Sequence, residues 1–245
     1  MTKTNPRIWE TSFEAYPPDL LDLLGPMVAI PLESGDLIAM GQATPGFLRT
    51  LDMDGLPAHG FSDALLNSIT EVLPQPDGAA MFPRLGMASF KWRGPVVAVC
   101  TPDDLLRVVT RPNPRMASFL VPMLREERPA TLYLRPFLRF LPWGEFRVFV
   151  MEGRVRGVSQ YPLHLRHPQI AQNEAAIRDA LRRLFQKVLP ALHLTDVVLD
   201  VGLTQEADGT LLAHLIELNP AIRRTDPALF DWRRPDSFDG SLRYL

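Results

Sequence analysis

The sequence predicts an α+β protein with two lobes and antiparallel sheets. Three observations support this class: strand-like segments fill the second half, turn signals at Glu152-Gly153 and Asp208-Gly209 indicate hairpins, and an amphipathic helix over 173–189 separates the two hairpins. The chain has 245 residues, 46% hydrophobic and 22% charged, which is an ordinary globular composition with enough apolar mass for a core.

The predicted lobes are residues 1–128 and residues 129–245, because the pattern changes from mixed helix and strand to mainly strand near 125–131. In the first lobe we expect helices over 19–24, 62–73, a segment opening at Thr101, and 114–125, with strands over 27–31, 79–85 and 96–100. In the second lobe we expect strands over 131–135, 145–151, 154–161, 196–203 and 211–218.

Composition excludes several classes of function. The net charge is −2, so the chain has no basic field to attract nucleic acid. Cys100 is the only cysteine, which excludes an intrachain disulfide and a cysteine metal cluster. The first ten residues are polar and no apolar run approaches the length of a membrane span, so we expect a cytoplasmic protein that binds neither nucleic acid nor membranes.

The last hairpin brings acidic residues together. If its turn is centred on Asp208-Gly209, Asp200 lies opposite Glu217, and Asn219 shares their face of the sheet. Opposed carboxylates repel unless a cation lies between them, and carboxylate and amide oxygens are ligands that Mg²⁺ accepts. The pattern therefore predicts a metal site for a nucleotide phosphate. The alternative, a hairpin whose acids face water, is less favoured because both acids stand within apolar runs.

The preceding hairpin offers an arginine. With its turn at Glu152-Gly153, Glu145 is predicted opposite Gln160, and Arg147 shares their face. An arginine held between a carboxylate and an amide can be aimed at a phosphate. A surface ion pair of little energetic value is the alternative, and these residues alone do not decide between the two.

Three segments of the sequence resemble segments of a known family. Residues 132–161, LYLRPFLRFLPWGEFRVFVMEGRVRGVSQY, resemble the central segment of the cell division cycle protein 123 family, with its L-x-L-R, E-F-R-x-F-V and G-[IV]-S-Q motifs. Residues 196–232 resemble its last segment through D-V-x-x-D-V, I-E-L-N-P and T-D-x-x-L-F-x-W, and MFPRLGMASFK at 81–91 resembles F-P-K-L more loosely. These blocks occur in the family's order.

The resemblance implies an ATP-grasp fold with ATP in a cleft between two α+β lobes. It implies that Asp200, Glu217 and Asn219 hold Mg²⁺, the set that the hairpin pairing also selects. The remaining residues that it assigns to the nucleotide are Arg135 near the adenine, then Glu145, Arg147 and Gln160. Either Arg84, which replaces the family's lysine, or Lys91 is expected at a phosphate.

Arg223 and Arg224 form a basic pair just after Asn219-Pro220. We predict that Arg224, together with Arg147, acts on the γ-phosphate or an acidic substrate, with a surface pair as the alternative. The resemblance implies a protein that uses ATP to act on or assemble a protein partner, in the manner of a chaperone. The alternative is an ATP-dependent carboxylate–amine ligase that works through an acyl phosphate.

Overall fold

The computed structural model describes residues 5–73, 79–91 and 97–245. Within them, contacts divide the chain into two compact units, residues 26–137 (unit 1) and residues 5–25 with 138–245 (unit 2). The helices of unit 1 are α3 (Ser34–Gly41), α4 (Phe47–Thr50), α5 (Asp63–Val72), α6 (Pro102–Val109) and α7 (Pro114–Arg125). The helices of unit 2 are α1 (Pro6–Glu10), α2 (Pro18–Asp22), α8 (Pro168–Gln172) and α9 (Glu174–Ala191), with short 3₁₀ turns at Phe13–Ala15 and Pro235–Ser237.

Unit 1 contains a four-stranded sheet. Its strands are β1 (Val28–Leu32), β2 (Met81–Leu85), β3 (Ala88–Ser89) and β4 (Ala130–Pro136), in the order β1-β4-β2-β3 with antiparallel pairs. The helices begin where capping chemistry predicts: the Ser62 hydroxyl accepts a hydrogen bond from the Leu65 amide, and the Thr101 hydroxyl accepts one from the Asp104 amide. The sequence thus locates α5, α6 and α7 to within a residue or two.

Unit 2 contains a five-stranded sheet. Its strands are β5 (Glu145–Met151), β6 (Arg154–Gln160), β7 (Val197–Gln205), β8 (Leu211–Pro220) and β9 (Leu242–Arg243), in the order β8-β7-β5-β6-β9. All pairs are antiparallel except that β9 runs parallel to β6. The long helix α9 packs against β8. Both hairpins expected from the sequence are present.

The two units differ from the predicted lobes in their boundary. The division follows Phe137 rather than residue 128, because β4 pairs with β1 and β2 of the first sheet. The segment 5–25 joins unit 2, where the Tyr16 hydroxyl accepts a hydrogen bond of 2.7 Å from the Leu218 amide. Alternation along the sequence does not show such long-range pairing. The strand expected over 96–100 lies partly outside the described residues, and Val99 forms an isolated bridge to Met81.

One face of the unit 2 sheet is covered by aromatic side chains from the segment after β8. Phe149 and Val198 lie opposite one another on β5 and β7, and Phe230 and Phe238 complete a buried cluster with them. The rings of Phe230 and Phe238 are stacked, with centroids 5.0 Å apart. This apolar cluster anchors the segment that follows β8 on the sheet.

We expect Gly157→Ala to destabilise unit 2. A Cβ at Gly157 would lie 2.5 Å from the Phe230 ring, which is only 6% exposed. Overpacking of this kind typically costs about 1–3 kcal/mol of folding free energy. Chemical denaturation measures the change, and Gly60→Ala is the control because a Cβ there meets nothing within 4 Å. Equal stability of the two variants would contradict this packing.

Candidate functional site

We call the part of the unit 2 sheet that carries Arg147, Asp200, Glu217 and Asn219 the functional face. It lies on the same side of the sheet as the aromatic cluster. Strand pairing places Asp200 directly opposite Glu217, and Asn219 opposite Val198, as the sequence predicts. Arg147 on β5 pairs with Asp200 on β7, so its side chain joins the same face. Three neighbouring strands therefore bring two acids, an amide and a guanidinium together.

Arg147 is the centre of this arrangement. Its Nε and Nη2 donate hydrogen bonds of 2.8 and 2.9 Å to the two carboxylate oxygens of Asp200. Its Nη1 donates one of 3.1 Å to the Asp226 carbonyl oxygen, in the segment after β8. The guanidinium also lies 4.2 Å from the centre of the Tyr161 ring. The side chain is only 7% exposed, so this bidentate pair is largely removed from water.

Asp200 has three hydrogen-bond donors. Besides the two from Arg147, the Asn219 side-chain amide donates a hydrogen bond of 3.0 Å to Oδ2. Burial raises the pKa of Asp200 to about 6, and the nearby charge of Glu217 also raises it, while Arg147 and Asn219 act in the opposite direction. Burial lowers the pKa of Arg147, but hydrogen bonding and the charge of Asp200 outweigh it and hold that pKa above its usual value.

The raised pKa predicts that ionisation of Asp200 costs stability as the pH rises. The folded protein holds this proton up to about pH 6, whereas the unfolded chain releases it near pH ~4. Between these values the folded state binds more protons, so the free energy of unfolding falls with rising pH. Relative to Asp200→Asn, wild type should lose stability as the pH rises to about 6 and then level off. Denaturation of both proteins across this range measures the difference; a constant difference would contradict it.

The predicted register of the β5–β6 hairpin is wrong by one residue. A bulge between Phe149 and Val150 shifts the pairing, so Arg147 lies opposite Ser159, and Gln160 pairs with Phe146. Gln160 therefore projects from the opposite face to Arg147. Its amide nitrogen donates to the Leu165 carbonyl at 2.6 Å, and its oxygen accepts from the Leu245 amide at 3.2 Å. These hydrogen bonds hold the loop after β6 and the last residue of the chain. The observed register therefore does not support the predicted contact of Gln160 with a nucleotide.

Glu145 keeps its place on the functional face, two residues before Arg147 on β5 and opposite Gly202 on β7. Its carbonyl oxygen accepts a hydrogen bond of 2.9 Å from the Tyr161 amide, which extends the ladder by one residue. Sequence reasoning missed both Tyr161 and the Asp226 carbonyl. The place of Tyr161 on this face could have been predicted only if the bulge between Phe149 and Val150 had been recognised. No local sequence signal indicates that the Asp226 carbonyl, in an irregular segment, would contact Arg147.

Arg224 and its neighbour Arg223 are exposed in the segment after β8. The Thr225 hydroxyl donates a hydrogen bond of 2.5 Å to the Pro220 carbonyl, which fixes this turn to the end of β8. The next residue, Asp226, provides the carbonyl that binds Arg147. The basic pair therefore lies on a segment fixed to the functional face, and the role of Arg224 stays a prediction.

Three further basic residues predicted at the nucleotide, Arg84, Lys91 and Arg135, lie in unit 1. Pairing of Arg84 with Tyr133 puts Arg84 and Arg135 on one face of its sheet, and both are buried. Arg84 is 1% exposed, and it donates to the carbonyls of Leu85 and Gly86, each at 3.1 Å, which fixes the turn between β2 and β3. Lys91 is exposed after β3. Their contacts with a nucleotide stay predictions.

Among residues 5–73, 79–91 and 97–245, no group of three or more His, Cys, Asp and Glu side chains is arranged to hold a metal ion. The set on the functional face consists of two acids and an amide, with Arg147 beside them. None of the helices described is both long and apolar enough to cross a membrane.

The fold defines an α+β protein with mainly antiparallel sheets. The whole-chain fold matches the structure of Cdc123 from Schizosaccharomyces pombe with a TM-score of 0.69 at 18% identity, covering 98% of this chain and 95% of that one. This likeness confirms the predicted fold class. Residues 123–237 match the D123 family. This match, over less than half of the chain, confirms the resemblance to the cell division cycle protein 123 family that the motifs of the sequence predict.

Two curated relatives illustrate the extent of the similarity. The translation initiation factor eIF2 assembly protein of Kluyveromyces lactis is 33% identical over 108 residues, and cell division cycle protein 123 of Eremothecium gossypii is 35% identical over 119 residues. Each match covers 44% of this chain but only 29% and 30% of the relatives. The similarity in sequence is therefore concentrated in part of each protein.

Proposed function

We propose that the functional face of unit 2 binds ATP with Mg²⁺. The observation that carries this proposal is the buried Arg147–Asp200 pair, with Glu217 opposite and Asn219 beside it. Burial of a charged pair is expensive, and breaking such a pair is more so. The energetic cost of burying the Arg147–Asp200 pair therefore favours a functional role for it. Recognition of a metal-bound phosphate is the role that the guanidinium and the carboxylate oxygens support.

The oxygen donors suit Mg²⁺. A carboxylate offers about four lone-pair positions, and the hydrogen bonds from Arg147 and Asn219 use three of those on Asp200. Glu217 contributes a second carboxylate, and the Asn219 amide oxygen a neutral ligand. Mg²⁺ is usually held by one or two carboxylates together with water and substrate phosphates. When bound, the ion would neutralise charge on the phosphates.

Arg147 suits a phosphate oxygen. Three of its five N–H groups are used by Asp200 and the Asp226 carbonyl, which leaves two donors for a ligand. Those three bonds hold the guanidinium plane in position before a ligand arrives, so little freedom is lost on binding. We propose that Arg147 binds a nucleotide phosphate while Asp200 keeps it oriented, with the exposed Arg224 as a second cation.

We propose that the nucleotide-bound protein acts on or assembles a protein partner in the cytoplasm. Several relatives are named translation initiation factor eIF2 assembly protein, which suggests a partner of the translation-factor kind. A ligase would use the same residues differently: a carboxylate would attack the γ-phosphorus, ADP would leave, and an amine would then displace phosphate from the acyl phosphate. Arg147, at the proposed phosphate position, would stabilise phosphate charge both in an assembly protein and in a ligase.

Calorimetry with the full chain tests the proposal. We expect binding of ATP in the presence of Mg²⁺ and much weaker binding when EDTA removes the metal. Release of ADP and phosphate is then followed with and without candidate amine and carboxylate acceptors. Binding without turnover, together with a stable complex with a protein partner, supports assembly, whereas acceptor-stimulated turnover supports the ligase. Failure of wild-type protein to bind ATP under both conditions would overturn the proposal.

A further inference from the structure

Tyr161 contacts the guanidinium of Arg147 through its ring face. It follows β6 directly, and its ring centre lies 4.2 Å from the Arg147 guanidinium carbon. The bulge between Phe149 and Val150 makes this contact possible, because it shifts β6 by one residue and brings Tyr161 to the level of Glu145. The side chain is half-buried.

The contacts of Arg147 fix its guanidinium in complementary ways. Asp200 holds one edge of the plane through Nε and Nη2, and the Asp226 carbonyl holds one hydrogen of Nη1. Hydrogen bonds in the plane restrain sliding, but they restrain tilting only weakly. An aromatic face stacked on the plane opposes tilting, and cation–π attraction adds to the contact in a site that excludes water.

We propose that Tyr161 is a positioning residue for Arg147 in the nucleotide site: its ring holds the guanidinium so that the remaining N–H donors point at a phosphate oxygen. This inference rests on the proposed function. Burial and the charges of the neighbouring acids raise the pKa of the Tyr161 hydroxyl, although Arg147 opposes this, so the phenol is neutral at physiological pH. It therefore adds no negative charge beside a phosphate, and the electron-rich ring remains available to the cation.

Tyr161→Leu and Tyr161→Phe test this role. Leucine removes the aromatic face, and we expect it to weaken Mg-ATP binding by about tenfold, the scale of a partly desolvated cation–π contact. Phenylalanine keeps the face and should bind within about twofold of wild type, because the ring rather than the hydroxyl acts on Arg147. Calorimetry at a temperature where all variants are folded measures the affinities, and thermal denaturation gives their stabilities.

Tyr244→Leu is the matched control. Tyr244 is also a half-buried tyrosine of unit 2, but its hydroxyl donates a hydrogen bond to Glu174 on α9, not to the functional face. We expect this variant to bind Mg-ATP like wild type. A merely structural role for Tyr161 would lower stability without separating leucine from phenylalanine in affinity. The double variant that combines Arg147→Met with Tyr161→Leu should bind ATP with the same residual affinity as Arg147→Met alone.

The outcomes separate this inference from the proposed function. If wild type does not bind ATP, the proposed function fails first. If wild type binds and Tyr161→Leu binds equally well, or if phenylalanine is as damaging as leucine, the positioning role is overturned while the ATP site stands. An equal loss from Tyr161→Leu in the presence and absence of Arg147 would also overturn it, because the effect would not pass through the guanidinium.

Discussion

Replacement of Arg147 by methionine should reduce the stability of the protein more than any other single change at this face. Methionine fills similar space but leaves Asp200 largely buried, with only the Asn219 amide as a donor and Glu217 nearby. Loss of one partner from a buried ion pair typically costs about 3 kcal/mol or more. We expect a loss of this size at about pH 7.5 by chemical denaturation.

Part of this loss should return at lower pH. Without Arg147, the pKa of Asp200 rises further, because burial and Glu217 are then opposed only by Asn219. Lowering the pH from about 7.5 to about 5 protonates Asp200 in the folded variant but leaves it mostly ionised in the unfolded chain, so the folded state gains stability. The exposed ion pair of Arg182 with Asp179 provides the control: Arg182→Met should change stability little at either pH. Equal effects of the two substitutions would contradict the buried-pair interpretation.

Asp200→Asn should abolish Mg²⁺-dependent ATP binding, which is the largest effect expected on function. Asparagine has nearly the same shape and still accepts hydrogen bonds, but it removes one of the two carboxylate charges that would face the ion. We expect the affinity for Mg-ATP to fall by about a hundredfold, the upper end of the loss that follows when a group supporting a metal's ligands is removed. Glu217→Gln should act in the same direction. Calorimetry with and without Mg²⁺ measures both.

The stability of Asp200→Asn should change less than that of Arg147→Met. Neutralisation removes a charge whose pKa is raised by burial and by Glu217, and this gain offsets the lost ionic contact with Arg147. Asp208→Asn is a suitable control, because Asp208 lies exposed in the turn of the same hairpin, where its carboxylate accepts from the Thr210 amide. Unchanged Mg-ATP affinity in both Asp200→Asn and Glu217→Gln would remove these residues from the proposed metal site.

Local patterns in the sequence were sufficient for most elements near this face. A turn signal at Asp208-Gly209 between two apolar runs predicted the hairpin and the pairing of Asp200 with Glu217, and that pairing is confirmed. Next to the turn the register differs by one residue from the predicted one, since Val201 pairs with Leu215, and a bulge between Asp200 and Val201 brings Asp200 opposite Glu217. The same reasoning failed one hairpin earlier. A bulge adds one residue to a strand without a turn signal of its own, so the register past Phe149 could not be inferred from Glu152-Gly153.

The pairing of Arg147 with Asp200 shows where sequence reasoning reached its limit. The sequence indicated that an arginine lay on one hairpin and two acids on another, and it suggested a separate cation for the acids. Adjacency of β5 and β7 is a long-range choice, made by packing of the whole sheet rather than by either hairpin. Only this adjacency brings the guanidinium against the carboxylate.

The sequence by itself determined the α+β class, the limits of the main helices and strands, and the positions of both hairpin turns, since these depend on periodicity, capping and turns over short distances. The tertiary structure decided which strands became neighbours, where the chain divides into units, and which side chains enclose Arg147. Those choices arise from contacts between residues such as Arg147 and Asp226, 79 positions apart. Local backbone preferences carry no information about such contacts, because they form only when the complete sheet is assembled.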